Sequence, residues 1–103
     1  MEELSAAVIG AGSQGRVHGF GHRAAPGVTL IALADVDERA AHDLAAELDV
    51  AHVHRDYREL LRVHRPDIVS VCTPPALHPE IVRAAAEAGV RAVHCEKPVA
   101  LFT

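Results

Sequence analysis

Tryptophan is absent from this chain of 103 residues, tyrosine occurs once and phenylalanine twice, although half of the residues are apolar. A core without large aromatic plugs must be built from small and branched side chains, which favours helices lying close against a sheet. The length supports one domain, 1–103, and no linker, repeat or low-complexity stretch divides it. No apolar run approaches the roughly 20 residues of a membrane span. The start, Met1-Glu-Glu-Leu-Ser5, is acidic where a secretory leader is basic, so a cytoplasmic protein with no membrane contact is expected.

Lysine is almost missing too: Lys97 stands alone beside nine arginines, which are scattered rather than gathered into a run. With a net charge of −4, no nucleic-acid footprint is expected. Two cysteines, Cys72 and Cys95, are too few for a disulfide framework or a zinc site and are expected as reduced, buried thiols. Apart from His52 and His54, the eight histidines lie far apart in sequence, and no metal site is expected from them.

Two kinds of segment alternate. Apolar runs rich in Val and Ile occupy Ser5–Gly10, Val28–Asp35, Asp67–Thr73 and Arg91–Cys95, with a weaker one at Val50–His54. Helical patterns fill the gaps. Gln14–Ala25 carries Val17, Phe20 and Ala24 on one stripe, with Gly15 and Gly19 one turn apart allowing close contact with a neighbouring backbone, and Glu38–Leu48 turns Ala41, Leu44, Ala45 and Leu48 inward behind Asp37 as N-cap. Tyr57–Val63 follows Asp56 in the same capping position. A fourth helix has Pro79 in its first turn, Ile81, Ala84, Ala85 and Ala88 inward, and Gly89 at its C-terminal end. Strands apolar on both faces and joined by helical crossovers predict a doubly wound parallel α/β sheet of the Rossmann type.

Directly after the first strand, Gly10-Ala-Gly12-Ser13-Gln14-Gly15 forms a G-x-G-x-x-G that opens the first helix. Gly10 permits the turn, Gly12 removes a side chain where a pyrophosphate must approach, and Gly15 lets the helix sit on the strand. Ser13 and Gln14 begin that helix, whose free N–H groups and positive dipole end suit phosphates. A tight strand-to-helix turn without a ligand uses the same glycines. Twenty residues beyond Gly15, Asp35 stands where a carboxylate accepts the ribose hydroxyls of an adenosine and repels a 2′-phosphate, favouring NAD over NADP. An ordinary turn aspartate is the alternative, and Arg39 is a nearby cation that a phosphate could use.

Further along come Asp67-Ile-Val-Ser-Val-Cys-Thr-Pro-Pro75, Leu77-His78 and Cys95-Glu-Lys-Pro98. Together with the glycine loop and Arg16-Val-His18, over essentially the whole chain, they resemble the Gfo/Idh/MocA family of oxidoreductases. The resemblance implies an N-terminal dinucleotide-binding domain, with a C-terminal substrate domain and the last strand of the sheet lying past residue 103. It places Thr73 and Pro74 along the cofactor, and His78 at the opening of the next helix as a cofactor contact or a plain cap. Pro75 stands where the family often has Asn. Glu96-Lys97-Pro98 matches the family's E-K-P beside the reacting end of the cofactor, with Lys97 as the catalytic ammonium and Glu96 orienting it or the nicotinamide ribose. A lysine there can stabilise charge developing on a hydroxyl oxygen or relay its proton, and unlike arginine it shifts its pKa readily. A surface lysine at a strand end is the bland alternative.

These readings converge on the cofactor-binding half of an NAD-dependent oxidoreductase acting on a small molecule, a sugar, polyol or related hydroxy compound. The full-length protein is expected to be homo-oligomeric and the 103-residue chain inactive alone, with its Arg91–Cys95 strand left as an unprotected edge. The rival is a non-catalytic NAD-sensing or partner-binding module.

Overall fold

The computed structural model describes residues 3–95 and 99–101. Its strands are β1 (Leu4–Ile9), β2 (Val28–Ala34), β3 (His52–His54), β4 (Ile68–Val71), β5 (Ala92–His94) and β6 (Val99–Leu101), and its helices α1 (Ser13–Ala24), α2 (Glu38–Leu48), α3 (Tyr57–His64) and α4 (His78–Glu87). A 3-10 turn, Pro75–Leu77, precedes α4. The sheet order is β3-β2-β1-β4-β5-β6. Pairings from β3 through β5 are parallel, as the both-faces-apolar strands predict.

β1 lies at the centre, and its Ala6–Ile9 segment is buried on both faces. One face packs Ala7, Ile9, Ala32, Ala34, Val69, Val71 and Val93 against Leu60 and Leu61 of α3 and Ile81 and Ala85 of α4. The other packs Val8 and Leu33 against Leu44, Ala45 and Leu48 of α2. The predicted caps form: Asp37 accepts the Ala40 N–H at 3.1 Å and Asp56 that of Arg58 at 2.9 Å. At the N-terminal ends of the central strands, Asp67 Oδ2 accepts both the N–H (2.9 Å) and the hydroxyl (3.2 Å) of Ser5. The Asp67 N–H returns a bond to the Ser5 carbonyl at 2.9 Å.

Two sequence expectations are corrected. The stripe Val17, Phe20 and Ala24 of α1 does not face the core: Val17 is 64% and Phe20 38% exposed, and the buried residues of this helix are Gly15 and Gly19. A Cβ on Gly19 would lie 2.5 Å from Leu48 Cδ1, so α1 approaches too closely for a side chain on its inner face. Phe20 is instead overlaid by the Arg16 guanidinium, 5.0 Å from the ring centroid, and Arg16 is paired with Glu47 of α2. Secondly, the β5 strand is not a free edge. β6 runs antiparallel to it, pairing Val99 with His94 and Leu101 with Ala92. An antiparallel neighbour needs only a short connection and no crossover helix, so the helix-strand rhythm of the sequence does not announce it.

Histidines apart in sequence also meet in space. His18 and His94 stack with ring centroids 4.5 Å apart, beside His22, whose Nε2 lies 2.6 Å from the hydroxyl of fully buried Ser70. At the β3 edge His54 and His64 share an Nε2–Nε2 hydrogen bond of 2.8 Å, with His52 against His64 and Glu59 on His54 Nδ1. Among the described residues no group of three or more His, Cys, Asp or Glu is arranged to hold a metal ion. Cys72 is half-buried and Cys95 buried, neither in a disulfide, and burial raises the Cys95 pKa.

Candidate cofactor site

β1 hands the chain to β2 on one side, whereas β4 joins it on the other. The C-terminal ends of β1 and β4 are therefore a topological switch point, where open α/β sheets bind ligands. A groove of about 350 Å³ lies here, with Gly10, Gly12, Asp35, Thr73 and Pro74 in its wall, as the sequence places them. A larger hollow of about 420 Å³ between α3 and α4 has Arg58, Arg62, Arg65 and Glu87 around it. The glycine loop and the strand ends lie at the first, so that groove carries the argument.

Gly10 sits at φ +106°, which a residue with a side chain rarely adopts, and a Cβ there would come within 2.7 Å of the Cys72 backbone. At Gly15 a Cβ would overlap the carbonyl oxygen of Gly10. Both glycines are demanded by the protein itself. Gly12 is different: its φ is −81°, and a Cβ would meet nothing within 4 Å. Its neighbourhood is open space on the groove side, the place where a ligand would need close access to backbone. Gly12 is also the N-cap of α1, with no side chain capping it. The first bond of the helical ladder runs from Arg16 N–H to the Gly12 carbonyl at 3.0 Å, so the N–H groups of Ser13, Gln14 and Gly15 precede it at the helix N-terminus. The side chains of Ser13 and Gln14 are exposed and are not part of the groove wall.

Asp35 is held by the backbone. Its Oδ2 accepts the Ala11 N–H at 2.6 Å and its Oδ1 the Asp37 N–H at 2.9 Å, while its own N–H donates to the His54 carbonyl at 3.0 Å. Each carboxylate oxygen has a second lone pair, which leaves the group able to accept ligand hydroxyls.

Across the switch point, Thr73 Oγ1 is buried with no hydrogen-bond partner among the described residues. An orphaned hydroxyl in a groove wall is an unfilled polar contact. His78 does not line the groove. Its Nε2 lies 2.8 Å from the Thr73 carbonyl, to which the ring N–H donates, and this ties α4 to the turn that presents Thr73 and Pro74. Glu96 and Lys97 lie outside the described residues.

The groove also takes in Leu77, and Val36, Arg55 and Tyr57, which the sequence reading does not single out as site residues. The signal was the position of Arg55: it follows the short β3 strand, and every parallel strand of this sheet ends on the same side. The Tyr57 hydroxyl donates to Glu80 at 2.8 Å, and burial together with that carboxylate raises its pKa.

A groove at the switch point, a glycine without a structural reason and a clamped aspartate are the parts of a dinucleotide site. The sequence profile described as an oxidoreductase family with an NAD-binding Rossmann fold matches residues 4–103. The chain belongs to the Gfo/Idh/MocA family. This Gfo/Idh/MocA domain is 37% identical over 99 residues to D-glucoside 3-dehydrogenase of Escherichia coli, covering 95% of this chain and 28% of that protein. It is 34% identical over 100 residues to inositol 2-dehydrogenase of Rubrobacter xylanophilus, covering 96% and 28%. Myo-inositol 2-dehydrogenase of Lactobacillus plantarum superposes with a TM-score of 0.83 at 28% identity, over 91% of this chain and 28% of that one. The chain thus spans a little over a quarter of the length of the relatives it matches. Among the described residues no helix is long and apolar enough to cross a membrane.

Proposed function

We propose that this domain binds NAD and serves as the cofactor-holding part of a dehydrogenase that oxidises a hydroxyl of a sugar, polyol or similar small molecule. The observation that carries the reading is Gly12, a residue of the groove wall at which a Cβ would meet nothing within 4 Å. Gly12 and the N–H groups of Ser13, Gln14 and Gly15 would hold the pyrophosphate. Asp35 takes the adenosine ribose hydroxyls and disfavours NADP by its charge. Thr73 offers its hydroxyl, Pro74 shapes the wall, and His78 keeps that turn in place through the Thr73 carbonyl.

Bound nicotinamide supplies the hydride acceptor. Lys97, in the E-K-P segment, steadies negative charge on the substrate oxygen or takes its proton onward, and Glu96 orients the ammonium or the ribose. The described neighbours suit this role: β5 ends and β6 begins at the groove end of the sheet, with His94 paired to Val99. The sugar dehydrogenases and inositol dehydrogenases among its relatives support the substrate class.

Calorimetric titration of the folded chain with NAD tests the cofactor reading, and saturable binding that Gly12→Val abolishes is the expected result. A well-folded sample that takes up neither NAD nor NADH overturns it. Reduction of NAD by a longer gene product with a panel of polyols and sugars tests the chemistry. Tight NAD binding without turnover on any of them would instead favour a sensing module.

A further inference from the structure

Among the described residues, two charged side chains stand in the wall of the groove, Asp35 and Arg55. The register of the sheet puts them side by side. Ala34 of β2 pairs with His54 of β3, and Asp35 and Arg55 are the next residues on these parallel strands, whose backbones run about 4.8 Å apart. The Asp35 N–H to His54 carbonyl bond continues that pairing past the strand end.

Proximity has not made them an ion pair. The Asp35 oxygens accept the Ala11 and Asp37 N–H groups, and the Arg55 guanidinium has no hydrogen bond or ion pair among the described residues. By contrast Arg16 is paired with Glu47 and Arg58 with Glu80. Arg55 is thus a cation held beside the ribose-reading carboxylate with its donors uncommitted. Arg39, the cation suggested by sequence proximity, sits exposed in the first turn of α2 and does not border the groove.

Building on the cofactor reading, we infer that Arg55, and not Arg39, reads the 2′ position of the adenosine ribose and sets how strongly NADP is discriminated against. Asp35 is clamped at both oxygens, so it cannot swing aside to admit a 2′-phosphate. Its fixed charge opposes that group, and the adjacent guanidinium attracts it through a planar donor fork that matches phosphate oxygens. The balance of these two neighbours decides the preference. Removing the Asp35 charge leaves Arg55 unopposed.

The test is titration with NAD and NADP of the wild-type chain, Asp35→Asn, Arg55→Ala, the double variant and Arg39→Ala, at two ionic strengths. Asn keeps an acceptor for the Ala11 N–H, so the loop survives the loss of charge. Asp35→Asn is expected to move the NADP-to-NAD affinity ratio toward NADP by about tenfold or more, and adding Arg55→Ala to reverse most of that gain, a factor of 10 corresponding to about 1.4 kcal/mol. Salt should weaken NADP binding to Asp35→Asn more than to the double variant. An Arg55→Ala change that scales both cofactors equally overturns the inference, as does a ratio that follows Arg39→Ala. Failure of every folded variant to bind either cofactor overturns the cofactor reading along with it. NAD binding with an NADP affinity indifferent to Arg55 overturns this inference alone.

Discussion

The Asp35 carboxylate and the Ala11 amide are 2.6 Å apart, so the residue that would read the ribose also fixes the loop that would hold the pyrophosphate. One substitution therefore has two effects. Asp35→Ala removes a charged acceptor from two backbone N–H groups, at a cost of about 1.5–3 kcal/mol for a hydrogen bond of this kind, reduced here by partial exposure. In a domain of this size 1 kcal/mol moves the unfolding midpoint by roughly 4–8 °C, so a fall of that order or more is expected. NAD affinity should drop with it. Asp35→Asn keeps an acceptor for the Ala11 N–H but turns its NH2 toward the Asp37 N–H, so it should recover only part of the stability, and thermal unfolding of the two variants checks the separation.

Gly12 and Gly15 should part company on substitution. A Cβ at residue 15 overlaps the Gly10 carbonyl, whereas at residue 12 it meets open space. Gly15→Ala should unfold the domain or shift its midpoint drastically. Gly12→Ala should leave the midpoint within a few degrees while weakening NAD at least several-fold. Thermal melts paired with cofactor titration distinguish the two, and equal stability losses would show that Gly12 serves the turn itself.

Two histidines make stability depend on pH below neutrality. Burial lowers the His22 pKa, helped by His18 and His94, and burial lowers that of His64, helped by His54 and His52. A lowered folded-state value means that the unfolded chain binds the proton more readily. The contribution is therefore complete above the ordinary histidine value of about 6.5 and is lost as pH falls through the depressed folded values. Urea midpoints measured from pH 7.5 down to 5 should decline, and His64→Gln should make that decline shallower. A flat profile in the wild type would contradict both shifts.

Lys97→Ala, made in a longer gene product that turns over, should lower the rate of NAD reduction by orders of magnitude and affect NAD affinity far less, since the role proposed for the ammonium is on the substrate oxygen. Steady-state kinetics beside direct cofactor titration checks this. Undiminished turnover would make the lone lysine a surface residue.

The alternation of strands and helices was legible because each strand is apolar on both faces and each of α2 and α3 starts at an aspartate that does cap it. So was the placing of Gly10, Gly12 and Asp35 at the ends of the first two strands, where all three line the groove. The close approach of α1 through Gly15 and Gly19 was legible too, but the exposure of its apolar stripe was not, since a helix that approaches through glycine leaves Val17 and Phe20 to the outside. Nor was β6, a three-residue antiparallel partner with no crossover to mark it. Arg55 was hidden because only the register of β2 against β3 puts it beside Asp35, and the two lie twenty residues apart in the chain.

The clasp between Ser5 and Asp67 joins residues 62 apart in sequence, and the strand it anchors forms one wall of the groove. During synthesis β1 emerges early and pairs with β2, yet it gains its second neighbour only after β4 has been made. Bringing such distant segments together carries a loop-closure cost before any contact rewards it, which slows folding. A nascent chain has its glycine loop long before it has Thr73 opposite. Cofactor capture by the growing polypeptide thus has to wait for the second half of the domain, and bound NAD would report that the closing step of folding is complete.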